Sequence, residues 1–238
     1  RFGWYDTIDD LEVSKKLLQS VIEFGKKRKL EFVDGPVGFS NMDKAGLLIE
    51  GYEELNTMIT WYHYPYQKEH LKKLGFSKLA EWVEYKIKIF SAEDAPEKVK
   101  KFSKIIQQRY ELKVLNFKSR KEIIPYVDKM FELLNVTYSN LQTYVTIKQY
   151  QIDFYKEKFI KYIHPDFIKC CLDKDDNLIA FLITMPSFSR ALKKINGKMG
   201  LMGYLRLFKA QHFNDRVSLY LIGVDPKYQS KGAVSYTH

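Results

Sequence analysis

From residue 112 onward the spacing of apolar residues changes in a fixed order, and that order restricts the fold more than any single motif. "ELKVLNF" reads as a strand. In "SRKEIIPYVDKMFELLNVTY", Ile123, Ile124, Val127, Met130, Phe131 and Leu134 recur at helical spacing, and Ser119 with Glu122 occupies capping-box positions. A second helical stretch, "TIKQYQIDFYKEKFIKYI", precedes two apolar strands, "FIKCCLD" and "NLIAFLITMP", whose connection "KDDN" has hairpin-turn composition. A basic helical excursion, "SRALKKINGKMGLMGYLRLFKAQHF", leads to a last strand, "RVSLYLIGV", and then to "DPKYQSKGA". Strand, two helices, hairpin and strand predict an α/β fold with a mixed sheet and flanking helices.

The preceding residues form a second series. "RFGWYDTID" reads as a strand already in progress, so the chain, which starts at Arg1, is expected to begin inside a domain. In "DDLEVSKKLLQSVIEFGKKRK" an amphipathic helix is predicted with Ser14, Leu17, Leu18, Val21, Ile22 and Gly25 on one stripe and Asp9 or Asp10 as cap. Strands are predicted at "LEFVDGPVGF" and "NTMITWY", then a helix closing at "KKLGF" with Gly75 as its C-terminal cap. In the strand after it, Trp82, Glu84, Lys86 and Lys88 alternate with Val83, Tyr85, Ile87 and Ile89. "SAEDAPEK", with Pro96, has connector composition, and Val99, Phe102, Ile105 and Ile106 continue as a helix. The expected organisation is a first module over residues 1–92, a connector helix over 93–112 and a second module over 113–233.

Composition bounds the partners. With 238 residues and 45% hydrophobic content there is material for one large or two small cores. No apolar run reaches the roughly 18 residues of a membrane span. Thirty-nine Lys and Arg against 29 Asp and Glu leave a net charge of +10, which suits polyanions, anionic lipid surfaces and phosphorylated cofactors. The densest cluster, "GKKRK", closes a helix, where cations complement the macrodipole, so nucleic acid is not the expected partner. Cys170 and Cys171 are adjacent in a strand and point to opposite faces, which precludes an ordinary bridge and fits a reducing cytoplasm. Neither that pair nor His63 with His70 has further ligands at a metal-site spacing, so no metal is expected.

The last strand carries the chemistry. A strand that turns into a helix start exposes main-chain N–H groups, and a glycine there lets a phosphate approach them closely. Gln229, Ser230, Lys231 and Gly232 occupy that turn. Taken with the element order, "QSKG" resembles the Gln/Arg-x-x-Gly-x-Gly/Ala signature of GCN5-related N-acetyltransferases, with Val234 standing where that signature has a small residue. "KLGF" before "WVEYKIKI" resembles the helix and Leu-Gly-Phe that precede the last strands of the same fold. The whole resembles a tandem bacterial protein of two such modules, each incomplete: the C-terminal part of the first and the N-terminal part of the second. Setting Asp9 on Asp225 places Val13 at Gln229 and Lys16 at Gly232, so the first module lacks the phosphate turn.

The resemblance implies transfer of an acetyl or other acyl group from acyl-CoA to an amine on a small molecule or peptide. It implies a pantetheine arm against the main chain of Leu221, Ile222, Gly223 and Val224, and a diphosphate on the N–H groups of Gln229, Ser230, Lys231 and Gly232. The family often takes its thiolate donor from a Tyr past the phosphate helix, beyond residue 238, so no catalytic residue is assigned and this chain by itself is expected to be inactive. Residues 234–238, "VSYTH", match translation of a transposase mosaic-end sequencing adapter, as does part of the Ala233 codon, and support no functional expectation.

Other features admit two readings each. Gly223 fits close backbone approach or a bulge. Tyr220 fits a core aromatic better than a proton donor. "TWYHYPYQKEH" fits aromatic packing between modules or stacking on bases. In "VDGPVGFSNMDKAG", Asp34, Asn41 and Asp43 suit either a cationic amine or turn formation. A non-catalytic module using its basic surface for a polyanion or partner protein is the alternative to an acyltransferase.

Overall fold

The computed structural model describes residues 1–40, 42–88, 93–141, 144–159 and 163–229. Asn41, Ile89 and residues 230–238 lie outside them. In chain order the elements are α1 (Leu11–Lys27), α2 (Pro65–Lys73), α3 (Glu97–Arg109), β1 (Lys113–Asn116), α4 (Arg120–Tyr138), α5 (Gln149–Phe159), β2 (Ile168–Leu172), β3 (Leu178–Pro186), α6 (Ser189–Ile195), α7 (Leu201–His212), β4 (Val217–Val224) and α8 (Pro226–Gln229). The chain is therefore mixed α/β. It divides into two compact units, Arg1–Glu84 with Phe188–Ala210, and Tyr85–Ser187 with Gln211–His238.

The second unit holds an open antiparallel sheet of order β1-β2-β3-β4. Asp173 closes the β2–β3 hairpin: its Oδ1 accepts from the N–H groups of Asp175 and Asn177, both at 2.9 Å, and Asp176 takes the left-handed conformation at φ 58°. Ile168, Cys170, Cys171, Ile179, Ala180 and Phe181 are buried, so the two central strands read as nearly continuous apolar runs. α4 packs on β3 and β4 through the stripe Ile123, Val127, Met130 and Leu134, joined by Leu133. Ile124 is exposed instead. Glu122 accepts from Lys118 N–H and from the Ser119 hydroxyl, so the expected capping pair forms through the carboxylate, not through the serine oxygen.

The first unit packs α1 against α2 over Tyr5, Leu18 and Leu71, with Phe2, Leu47, Leu74 and Phe76 around them. Asp10 caps α1, its Oδ1 accepting from Glu12 N–H at 2.8 Å and Val13 N–H at 3.4 Å. α2 ends in a Schellman motif: Gly75 has φ 86°, its N–H reaches Lys72 O at 3.1 Å, and Phe76 N–H reaches Leu71 O at 3.0 Å. The "KLGF" sequence is thus accounted for by helix termination, with Phe76 returning onto Leu71.

Strands expected at 1–9, 30–39, 56–62 and 82–88 are absent among the described residues, apart from an isolated antiparallel bridge between Val37 and Ala45. Phe2 N–H donates to Asp34 O and Val37 N–H to Phe2 O, a local contact that does not extend into a ladder. For 82–88 the cause is visible in the exposure: Val83, Tyr85 and Ile87 on one side and Trp82, Glu84, Lys86 and Lys88 on the other all face solvent. Alternation gives a segment the capacity to pair, but a ladder needs a neighbour, and none of the described residues provides one.

Candidate functional site

β4 is an edge strand, and its phase against β3 decides which groups face outward. Asp225 N–H donates to Ile179 O at 2.8 Å, and the register sets Val224 opposite Ala180, Gly223 opposite Phe181, Ile222 opposite Leu182 and Leu221 opposite Ile183. In an antiparallel ladder the bonded pairs alternate, so Leu221 and Gly223 bond to β3 while the main chain of Ile222 and Val224 turns to the open edge. Side-chain donors confirm that phase. Tyr138 O–H reaches Ile222 O at 2.9 Å, Thr137 Oγ1–H reaches Val224 O at 3.3 Å, and Gln229 Nε2–H reaches Val224 O at 3.0 Å. Between Ile183 and Thr184 the register steps, so that Leu219, Tyr220 and Leu221 face only two residues of β3. This bulge around Tyr220 bends β4 just before its outward-facing stretch.

The strand runs into a tight helical turn. Asp225 Oδ1 accepts from Lys227 N–H and its carbonyl accepts from Tyr228 N–H, both at 2.8 Å, and these bonds set α8. Tyr228 leans edge-on against Tyr110 with ring centroids 6.3 Å apart, over Ile106, Leu112, Cys171, Ile179, Ala180 and Val224. Burial, and then the charges of Asp173 and Asp225, raise its phenol. The tip of β4 is therefore anchored to the core from below. Of the expected diphosphate residues, Gln229 is the last described, and Ser230, Lys231 and Gly232 lie outside the described residues.

The C-terminal turns of α4 organise the space beside this edge. Asn135 Oδ1 accepts from Ile147 N–H at 2.9 Å and from the Tyr144 hydroxyl, while its Nδ2–H donates to Ile147 O at 3.0 Å. Tyr138 and Tyr144 meet edge to face at 5.9 Å. Burial raises both phenols, Tyr144 to about 12. One face of α4 thus holds the loop before α5 and the outer carbonyls of β4. Contacts between residues 84 and 87 positions apart leave no local signal, and sequence reasoning did not find Thr137, Tyr138 or Asn135.

Gly223 has a packing reason to be glycine. A Cβ there would collide with the ring of Phe181, its buried register partner. Cys170 and Cys171 are wholly buried, and burial pushes their thiols to about 12 and about 11, which removes them as nucleophiles. In the first unit, Ser14 Oγ lies 2.8 Å from His70 Nδ1, and His70 Nε2 lies 3.3 Å from Asp9 Oδ1. The order is that of a hydrolytic triad, but Ser14 has no exposed surface and also accepts from Tyr5 O–H at 3.1 Å. No carbonyl can reach it, and the constellation fastens α1 to α2. Asp34 pairs with Arg1 at 3.2 Å, and Asp43 Oδ2 accepts from Ser40 N–H at 3.0 Å, so both loop carboxylates have structural work. Among the described residues there is no group of three or more His, Cys, Asp or Glu placed to hold a metal ion, and no helix long and apolar enough to cross a membrane.

Comparison with known proteins gives a distant likeness. No family model matches the chain. Protein YghO of Escherichia coli (strain K12) is 22% identical over 210 residues, which cover 87% of this chain and 52% of YghO. The chain thus spans about half the length of the curated relative it matches.

Proposed function

We propose that the second unit is the N-terminal part of a GCN5-related N-acetyltransferase-like module that binds acyl-CoA along the outer edge of β4. The observation that carries this reading is the edge itself: a bulged edge strand whose outward main chain belongs to Ile222 and Val224 and which leads through α8 to Gln229 of the "QSKG" segment. A pantetheine arm carries two amides, whose carbonyls would accept from the outward N–H groups of Ile222 and Val224, while the carbonyls of those two residues are engaged by Tyr138, Thr137 and Gln229. The diphosphate would then lie on the N–H groups from Gln229 to Gly232. In the transfer, a neutral amine attacks the thioester carbonyl, the C–N bond forms, the C–S bond breaks, and the amine proton leaves as the thiolate departs. No residue of this chain is assigned to that proton transfer. Residues 1–92 contribute no such module to this proposal, because the strands expected there are absent among the described residues; the acceptor is an amine of unidentified structure.

Calorimetric titration with acetyl-CoA tests the reading. Saturable binding is expected, and it should weaken in Ile222→Pro, which deletes one outward N–H while leaving the β3 ladder intact. Gly232→Glu, which places a carboxylate in the phosphate turn, should abolish it. Absence of binding, or binding indifferent to both substitutions, refutes the site.

A further inference from the structure

The segment Phe188–Ala210 carries six of the chain's 39 Lys and Arg and none of its 29 Asp and Glu. It folds as α6 and α7, separated by Asn196 at φ 51° and Gly197 at φ 73°. On α7, Gly203 is buried and Leu207 half-buried, which fixes the side that packs on the protein. Leu201, Tyr204, Leu205 and Phe208 follow the i, i+3, i+4, i+7 spacing and lie on the opposite side. They are 78%, 63%, 53% and 60% exposed, and Met202 beside them is also exposed. Four large apolar side chains on one outward stripe are a patch that needs a cover. Lys209 borders the stripe on α7, Arg206 lies round the helix from it and donates to Lys194 O at 2.6 Å, and Lys193 and Lys194 close the exposed end of α6.

We propose that α6 and α7 form a membrane-surface element that seats this stripe among the headgroups of an anionic bilayer. Charge decides between possible covers. A second copy would bring Lys193, Lys194 and Lys209 to the interface again with no carboxylate from this segment to meet them, whereas an anionic bilayer offers phosphates around an apolar interior. An apolar face rimmed by Lys and Arg is the pattern of a helix lying in the interface, not of one spanning it. The proposal stands apart from the acyl-CoA reading, since its test requires no coenzyme.

The test is flotation of the whole chain with phosphatidylcholine vesicles, with and without phosphatidylglycerol. Binding is expected only with phosphatidylglycerol, and it should fall as salt rises. Leu205→Glu with Phe208→Glu should abolish it, and Lys193→Glu with Lys209→Glu should lower the partition roughly thirtyfold or more. All four side chains are exposed, so the fold should be retained. A Tyr204→Trp variant gives an independent readout, the difference between its emission and that of the native protein with Trp4, Trp61 and Trp82 shifting to the blue on anionic vesicles. The proposal falls if phosphatidylglycerol makes no difference, or if the Tyr204→Trp variant binds without a blue shift, the behaviour of a merely electrostatic contact. It also falls if lipid-free protein self-associates through the stripe, so that Leu205→Glu dissolves a dimer.

Discussion

Replacing Gly223 by alanine separates two reasons for a glycine at this point of β4. The added Cβ would press on the edge of the Phe181 ring, which sits directly across the ladder and is 1% exposed. A ring that is almost wholly buried cannot swing away without disturbing its packing, so overpacking of about 1–3 kcal/mol is expected. Alanine also loses less backbone entropy on folding than glycine, which returns about 0.5–1 kcal/mol. The net destabilisation should be about 1–2 kcal/mol, a lowering of the melting temperature by several degrees. Shortening the ring in Phe181→Leu should relieve the clash, so Gly223→Ala should cost about 1 kcal/mol less in that background. Urea denaturation of the two single variants and the double variant, followed by circular dichroism, measures the coupling. An equal cost of Gly223→Ala in both backgrounds refutes the packing account. In that case a loss of acetyl-CoA binding without loss of stability would place the glycine's role at the ligand.

Three further outcomes follow from groups already described. Asn135→Ala leaves both main-chain groups of buried Ile147 without their partner, and should cost about 2–4 kcal/mol with faster hydrogen exchange over residues 144–148. His63 is buried, accepts from Leu48 N–H at 3.2 Å, and is held below its ordinary value of 6.5 by burial, against the opposing pull of Asp6. Since the unfolded chain takes up that proton first, stability should fall as pH drops below about 6.5, and His63→Gln should flatten the slope of melting temperature against pH. With thiols near 12 and 11, roughly one Cys170 in ten thousand and one Cys171 in a thousand is thiolate at pH ~8, so iodoacetamide should label both only in denaturant.

The sequence made helices more legible than strands for a physical reason. Amphipathic spacing and end signals are local, and α1 with Asp10, α2 with Gly75 and α4 with its buried stripe followed from neighbouring residues. The β2–β3 hairpin was also local, closed by Asp173 within five residues. Segment 82–88 shows the converse, since its alternation satisfies a strand's side chains but says nothing about the neighbour its backbone requires. On α1 the predicted stripe narrows to Ser14 and Leu18 as its buried members, with Leu17 exposed, because periodicity marks a face but not how much of it is covered. At the site, β4 and its turn stood out in sequence, whereas the hydroxyls of Thr137 and Tyr138 on its carbonyls required the folded chain.

Those two hydroxyls have a further consequence for how the protein tolerates crowding. An exposed strand edge is a template on which another polypeptide can polymerise, and proteins blunt such edges. Here the blunting falls on acceptors alone: an incoming strand would find the carbonyls of Ile222 and Val224 already engaged, and half of its own amides would lose their bonds. The two hydroxyls leave the N–H groups of Ile222 and Val224 untouched, so this blunting works against strand addition by removing acceptors and not donors.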